Sequence, residues 1–218
     1  MIHHHPQPEL LFDYATGAMT EGRALVVATH LGLCAMCRAE VGRYEAVGGA
    51  LLRDAIPDLH ADDALLQAAL RRLDEPTPAE SAPRPVDSRT RAALPSPVWP
   101  YLDGGIDALR WKTVGIGVRE AVLPIAGSVH RVSLIRIAAG RAVAKHTHGG
   151  EELTLVLSGG FSDRDRHYVR GDFAFAGATD EHRPVADSGG ECLCLAVTEG
   201  PMRLTGLVGR LIAPFLKT

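Results

Sequence analysis

At 218 residues, with 46% apolar and 22% charged side chains, the chain has material for one large or two small globular domains. A formal charge of −3 offers no cationic field, so direct binding to nucleic acid or anionic lipid is not expected. No apolar run reaches the roughly 18 residues of a membrane span, and the opening MIHHHPQPEL lacks a signal peptide's basic and apolar regions, which predicts a cytoplasmic protein.

In chain order, Glu9 to Met19 places Leu10, Leu11, Tyr14, Ala15 and Ala18 on one face and predicts a first helix. Thr20 caps a second, expected to run to about Val47 and to break at Gly48-Gly49. That second helix carries His30, Cys34 and Cys37 at i, i+4 and i+7, within roughly 60° of arc on one face. Thiolate sulfur and imidazole nitrogen together suit tetrahedral zinc. Three donors leave one corner open, and His3, His4 and His5 are the candidates upstream. Cys34-Ala-Met-Cys37 has no βαβ surroundings to make it a thioredoxin-like redox pair, and the two cysteines could equally serve as small core hydrophobes. Ala61 to Leu73 reads as a further amphipathic helix.

Residues 75 to 100 hold seven of the 14 prolines and no apolar period, which predicts an extended, semi-rigid spacer. Beyond it the period changes. His130 to Ile137, Leu153 to Leu157 and Cys192 to Val197 are short β-rich runs punctuated by glycines, the pattern of an all-β sandwich or barrel. His146 and His148 alternate on one strand and face the same side, Glu152 follows across Gly149-Gly150, and His182 is a fourth donor. Three imidazoles and a carboxylate suit zinc or another divalent transition metal: iron, manganese, nickel or copper. Cys192 and Cys194 share a face of a late strand; they are either small buried hydrophobes or candidate redox thiols near that metal. His60, His130 and His167 fit no ligand spacing and are expected at the surface. From Leu204 to Leu216 the apolar residues form a helical stripe, expected to pack on the barrel or on a neighbouring subunit.

HxxxCxxC on a second helix, with a histidine 25 residues upstream, resembles the zinc-binding anti-sigma domain, whose ChrR-type subfamily carries a C-terminal cupin. Gly140-x5-His146-x-His148-x3-Glu152-x6-Gly159 matches the first cupin motif position for position. The second motif keeps Gly171 and His182, but Gly177, Thr179 and Ala186 replace its usual proline, glycine and asparagine. The resemblance covers most of the chain. It implies a multi-domain α plus all-β protein: a zinc-bound helical bundle over 1–74, a linker over 75–100, and a cupin jelly roll with a C-terminal helix over 101–218. It also implies zinc on His5, His30, Cys34 and Cys37, with His4 or His3 as alternatives to His5, and a metal on His146, His148, Glu152 and His182. The implied function is regulatory: the helices sequester an extracytoplasmic-function sigma factor and release it when the cupin senses singlet oxygen or peroxide. The competing expectation is a metal-dependent cupin enzyme such as a dioxygenase, because the barrel site alone serves either role.

Overall fold

Pro8 starts the first helix, α1 (Pro8–Ala15), where its missing amide hydrogen needs no partner. This computed structural model describes residues 1–55, 63–73, 75 and 85–205. Leu10 and Leu11 face inward, and the helix ends at Thr16, short of the expected Met19. The long helix expected from Thr20 to Val47 is instead two, α2 (Glu21–Leu33) and α3 (Ala35–Asp54), which meet at 120°. The corner is Cys34, in extended conformation (φ −112°, ψ 106°), whose sulfur accepts the Cys37 amide at 3.5 Å and so caps α3. The expected break at Gly48-Gly49 does not occur, and α3 runs through it. Glycine lowers helix propensity by about 1 kcal/mol but blocks no backbone hydrogen bond. Helix α4 (Asp63–Leu73) follows.

The reading of 75–100 as an extended spacer does not describe residues 88–101. Asp87 accepts the Thr90 amide at 2.6 Å and caps a short helix, α5 (Ser88–Ala93), and a 3-10 helix follows (Ser96–Tyr101). Leu94, Val98 and Leu102 from this stretch are buried. Proline stops a helix from continuing but is welcome in its first turn, so a proline-rich segment can form short helical pieces.

Among the described residues eleven strands then follow: β1 (Lys112–Gly115), β2 (Val118–Val122), β3 (Arg131–Ile137), β4 (His146–His148), β5 (Glu152–Ser158), β6 (Gly160–Asp163), β7 (Arg166–Val169), β8 (Phe173–Ala176), β9 (Val185–Ala186), β10 (Cys192–Thr198) and β11 (Met202–Leu204). They pair antiparallel into a six-stranded sheet in the order β1-β2-β3-β10-β5-β8, a three-stranded sheet β7-β6-β9 and a ribbon β11-β4. The inner face of the large sheet closes on the smaller one around Val118, Ile137, Val156, Phe161, Tyr168, Cys192 and Cys194. Its outer face presents Val132, Leu134, Leu153, Leu155, Leu193, Leu195 and Val197 to Leu25, Val26 and Val27 of the helices. This is a helical bundle laid on a cupin barrel, with one core running between them. The helical stripe expected from Leu204 to Leu216 lies outside the described residues except at its start, where Leu204 closes β11. His60 also lies outside them.

Helix α2 approaches the sheet at Gly22, where a Cβ would lie 2.7 Å from Val132 Cγ2. Val132 is itself locked in the core, so the added atoms must displace the helix. Gly22→Val is expected to destabilise the protein by about 1–3 kcal/mol, read as a lower urea midpoint with an unchanged denaturation slope.

Candidate metal centres

Two groups of side chains converge among the described residues. The first joins the N-terminus to the α2–α3 corner: one donor atom each from His5, His30, Cys34 and Cys37, all within 4.8 Å of one another. His5 Nδ1 lies 3.4 Å from both sulfurs, and His30 Nε2 lies 3.3 Å from Cys37 Sγ. Donors about 2.0–2.3 Å from a tetrahedral centre stand roughly 3.3–3.8 Å apart, so these spacings fit an ion at the middle. Of the three N-terminal histidines, His5 reaches the cluster. His4 turns away to pack against Tyr168, with ring centroids 4.6 Å apart and planes tilted by 45°, and bonds the His167 carbonyl. The 120° corner brings the sulfurs together, whereas a continuous helix was expected to line them up along one face.

The ring of His30 is fully buried, and its Nδ1–H donates to the Gly171 carbonyl at 2.9 Å. That bond leaves Nε2 bare and aimed at Cys37. Burial lowers the His30 pKa to about 4, so the ring stays neutral as a ligand must. Burial and the bond to Cys34 push the Cys37 thiol up to about 12. Such a thiol ionises at neutral pH only when a cation stabilises the thiolate.

The second group lies inside the barrel. His146 and His148 on β4, Glu152 at the start of β5 and His182 bring their donor atoms within 4.8 Å of one another, and none is more than 9% exposed. His146 and His182 are locked together by reciprocal backbone hydrogen bonds of 3.0 and 3.1 Å. Gly159, which ends the first motif, has φ +68°, and a Cβ there would meet the Glu191 carbonyl at 2.4 Å. His146 Nδ1 donates to the Ala144 carbonyl and His182 Nδ1 to Asp163 Oδ2 at 3.1 Å. Both outer nitrogens therefore hold the protons and both Nε2 atoms face inward. Within this ring, Glu152 Oε2 stands 3.0 Å from His148 Nε2 and 3.2 Å from His182 Nε2, and the two Nε2 atoms stand 3.2 Å apart. Bare nitrogens and a carboxylate oxygen this close would repel, so positive charge must lie among them, either as protons on the rings or as a metal ion. Burial works against charge on Glu152 and His182 alike. Even so, bonds from His148 and His182 hold the Glu152 carboxyl well below the usual range, and Asp163 and Glu152 carry His182 up to about 9. The donor set fits a divalent transition metal.

Cys192 and Cys194 project from β10 into the same interior, fully buried, with sulfurs 3.6 Å apart. The Cys194 thiol is pushed well above its ordinary value by Cys192, by burial and by the Glu152 charge. His167 is exposed and pairs with Asp187. His130, expected at the surface, has a side chain only 7% exposed. Its ring bridges Thr20 on the helical side to Glu199 on the barrel, and Glu199 also meets Arg23 of α2 at 3.1 Å. Arg23 bonds Glu151, next to Glu152, at 2.7 Å. Sequence spacing gave no sign of Asp163, the Gly171 carbonyl or this network, because each partner lies far along the chain from what it orients.

No single described helix is long and apolar enough to cross a membrane; α2 and α3 would suffice together but for their bend.

Residues 104–203 match the family model of the ChrR cupin-like domain. The whole chain is 40% identical over 219 residues, 99% of each sequence, to the anti-sigma-E factor ChrR of Cereibacter sphaeroides. The crystal structure of Rhodobacter sphaeroides SigE in complex with the anti-sigma ChrR covers 91% of this chain and 100% of that one, at 39% identity and a TM-score of 0.77. An acetylacetone dioxygenase from Acinetobacter johnsonii is only 14% identical, covers 50% of this chain and 79% of that one, and has a TM-score of 0.43, too slight a likeness to bear on function.

The two centres share no side chain, so they should empty independently. Cys34→Ala and His182→Ala are each expected to remove about one metal ion per chain by elemental analysis. A further drop by about one ion is expected in the double variant.

Proposed function

The chain belongs to the ChrR family of anti-sigma factors, and from that premise we propose that it sequesters an extracytoplasmic-function sigma factor in the cytoplasm and acts as a regulator rather than an enzyme. The observation that carries this reading is the uncovered apolar surface of its helices. Among the described residues no side chain of α4 is buried, and Leu65, Leu66, Leu70 and Leu73 stand at least 45% exposed. Val47, Leu51 and Leu52 on α3 are exposed as well, and Phe12 and Tyr44 line a groove with Pro8. Exposed apolar side chains gathered on helices in this way mark a protein interface. The complex of ChrR with SigE supplies the class of partner.

His5, His30, Cys34 and Cys37 are the residues that would hold zinc, and His146, His148, Glu152 and His182 those that would hold zinc or another divalent transition metal. Zinc at the first centre supplies a cross-link between the N-terminus and the α2–α3 corner, stabilisation that a bundle of this size needs. The fixed corner sets the angle at which α3 leaves α2, and so the shape of the surface offered to the partner. The signal, singlet oxygen or a hydroperoxide, acts in the barrel, either at its histidine centre or at Cys192 and Cys194. A hydroperoxide would convert the two thiols to a disulfide and leave as alcohol and water. Release would then pass through the sheet that the helices rest on.

Leu66→Asp with Leu70→Asp is expected to weaken binding to the cognate sigma factor at least tenfold by isothermal titration, with metal content unchanged. Chelating the N-terminal centre should weaken it too. Full binding by the chelated protein and by the double variant would exclude this reading.

A further inference from the structure

We infer that the barrel's β7–β8 turn, Arg170–Asp172, is part of the N-terminal metal centre and positions two of its four donors. This rests on the reading that His5, His30, Cys34 and Cys37 hold a metal. The two cysteines are placed by the helix corner itself. The two histidines are not, because each is tied to the barrel.

His30 reaches its position through the Gly171 carbonyl, which accepts its Nδ1–H at 2.9 Å and sets both the tautomer and the plane of the ring. His5 belongs to no helix and lies near the end of the chain, where residues stay ordered only when tied down. Asp172 is the tie. Fully buried, it takes the His3 amide at 2.6 Å and the His4 amide at 3.0 Å on Oδ1, and the Val169 amide at 2.9 Å on Oδ2. The Phe173 amide donates to the His4 carbonyl at 2.9 Å, so the strap also joins the start of β8 through a backbone bond. Ile2 fills the space above Gly171, where φ is +92° and a Cβ would lie 2.6 Å from Ile2 Cδ1. His5 follows directly on this anchored strap, and its ring is thereby delivered to the sulfurs.

The consequence is regulatory. β8 starts at this turn and runs to Ala176, which pairs with Glu152 of the inner centre. One short strand thus has a ligand of the buried centre against one end and the holders of two outer ligands at the other. A shift of β8 loosens His5 and His30 without touching a cysteine.

The test uses the full-length protein loaded with cobalt(II). Only the outer centre contains thiolates, so sulfur-to-cobalt charge transfer in the near ultraviolet reports it alone. After EDTA is added, the band of Asp172→Ala is expected to decay about 10–100 times faster than that of the unmodified protein, as for loss of a ligand's orienting partner. A chain in which Met1 is followed directly by His5 should behave in the same way. That deletion leaves every barrel residue in place and decides the matter where Asp172→Ala fails to fold. Decay at the unmodified rate in a variant with unchanged circular dichroism overturns the inference. Absence of the thiolate band from the unmodified protein removes the metal reading itself, and this inference with it.

Discussion

Strand β10 is apolar on both faces, and neither face can be left in water. Leu193, Leu195 and Val197 point one way, Cys192 and Cys194 the other, and all five are at most 3% exposed. A strand inside a barrel with a solvated exterior would alternate polar with apolar; a near-continuous apolar run requires cover on both sides. Each aliphatic side chain so buried contributes about 1.5–3 kcal/mol. Val132, Leu134, Leu153 and Leu155 on the neighbouring strands extend the same outer face. That face holds α2 against the sheet, and α2 carries His30. The barrel therefore fixes the orientation of the helical bundle, and the two donor clusters lie on opposite sides of a single sheet.

Both clusters are then built by the same local device. A buried histidine gives one N–H to a carbonyl or carboxylate and turns its other nitrogen inward: His30 to Gly171, His146 to Ala144, His182 to Asp163. What distinguishes the clusters is the remaining donors. Two sulfurs brought together at a helix corner make a soft, closed set suited to a structural ion. A carboxylate among three imidazoles makes a harder set inside a barrel, where a reactive small molecule could be read. Cys192 and Cys194 lie in that second interior, where a reagent must enter the barrel to reach them.

The local chemistry of this architecture was legible in the sequence because it is local. The spacing of His30, Cys34 and Cys37, and that of His146, His148 and Glu152, is fixed within a few residues, and the switch from helical to strand period marked where the barrel begins. Three features were not legible. The corner at Cys34 depends on a side-chain cap that competes with helix continuation, and periodicity alone favours the longer helix. The burial of Leu94 and Val98 depends on the groove between helices and sheet, which a proline-rich composition does not reveal. The ring of His130 finds its partners 69 and 110 residues away and Asp172 finds the strap amides 168 and 169 residues away, and only the assembled fold brings them together.

These features bear on how a protein that sequesters its partner, as proposed, can also let it go. The surface proposed for the partner, on α4 and the C-terminal half of α3, is lightly packed, and such regions open at the lowest free-energy cost. Its fixed point is the opposite: α2, held on the sheet by a buried apolar face. Two states of such a molecule need differ by only a few kcal/mol for binding to change by several powers of ten. Dismantling a core would exceed that cost, whereas the contacts of an extended segment of five residues at the chain end are of the right size. The fold thus puts its strongest packing where the helices must be held and only a few contacts where the donor set is completed. On the proposed reading, a signal inside the barrel would need only to disturb the completion of the outer cluster, and the helix–sheet core would survive the release.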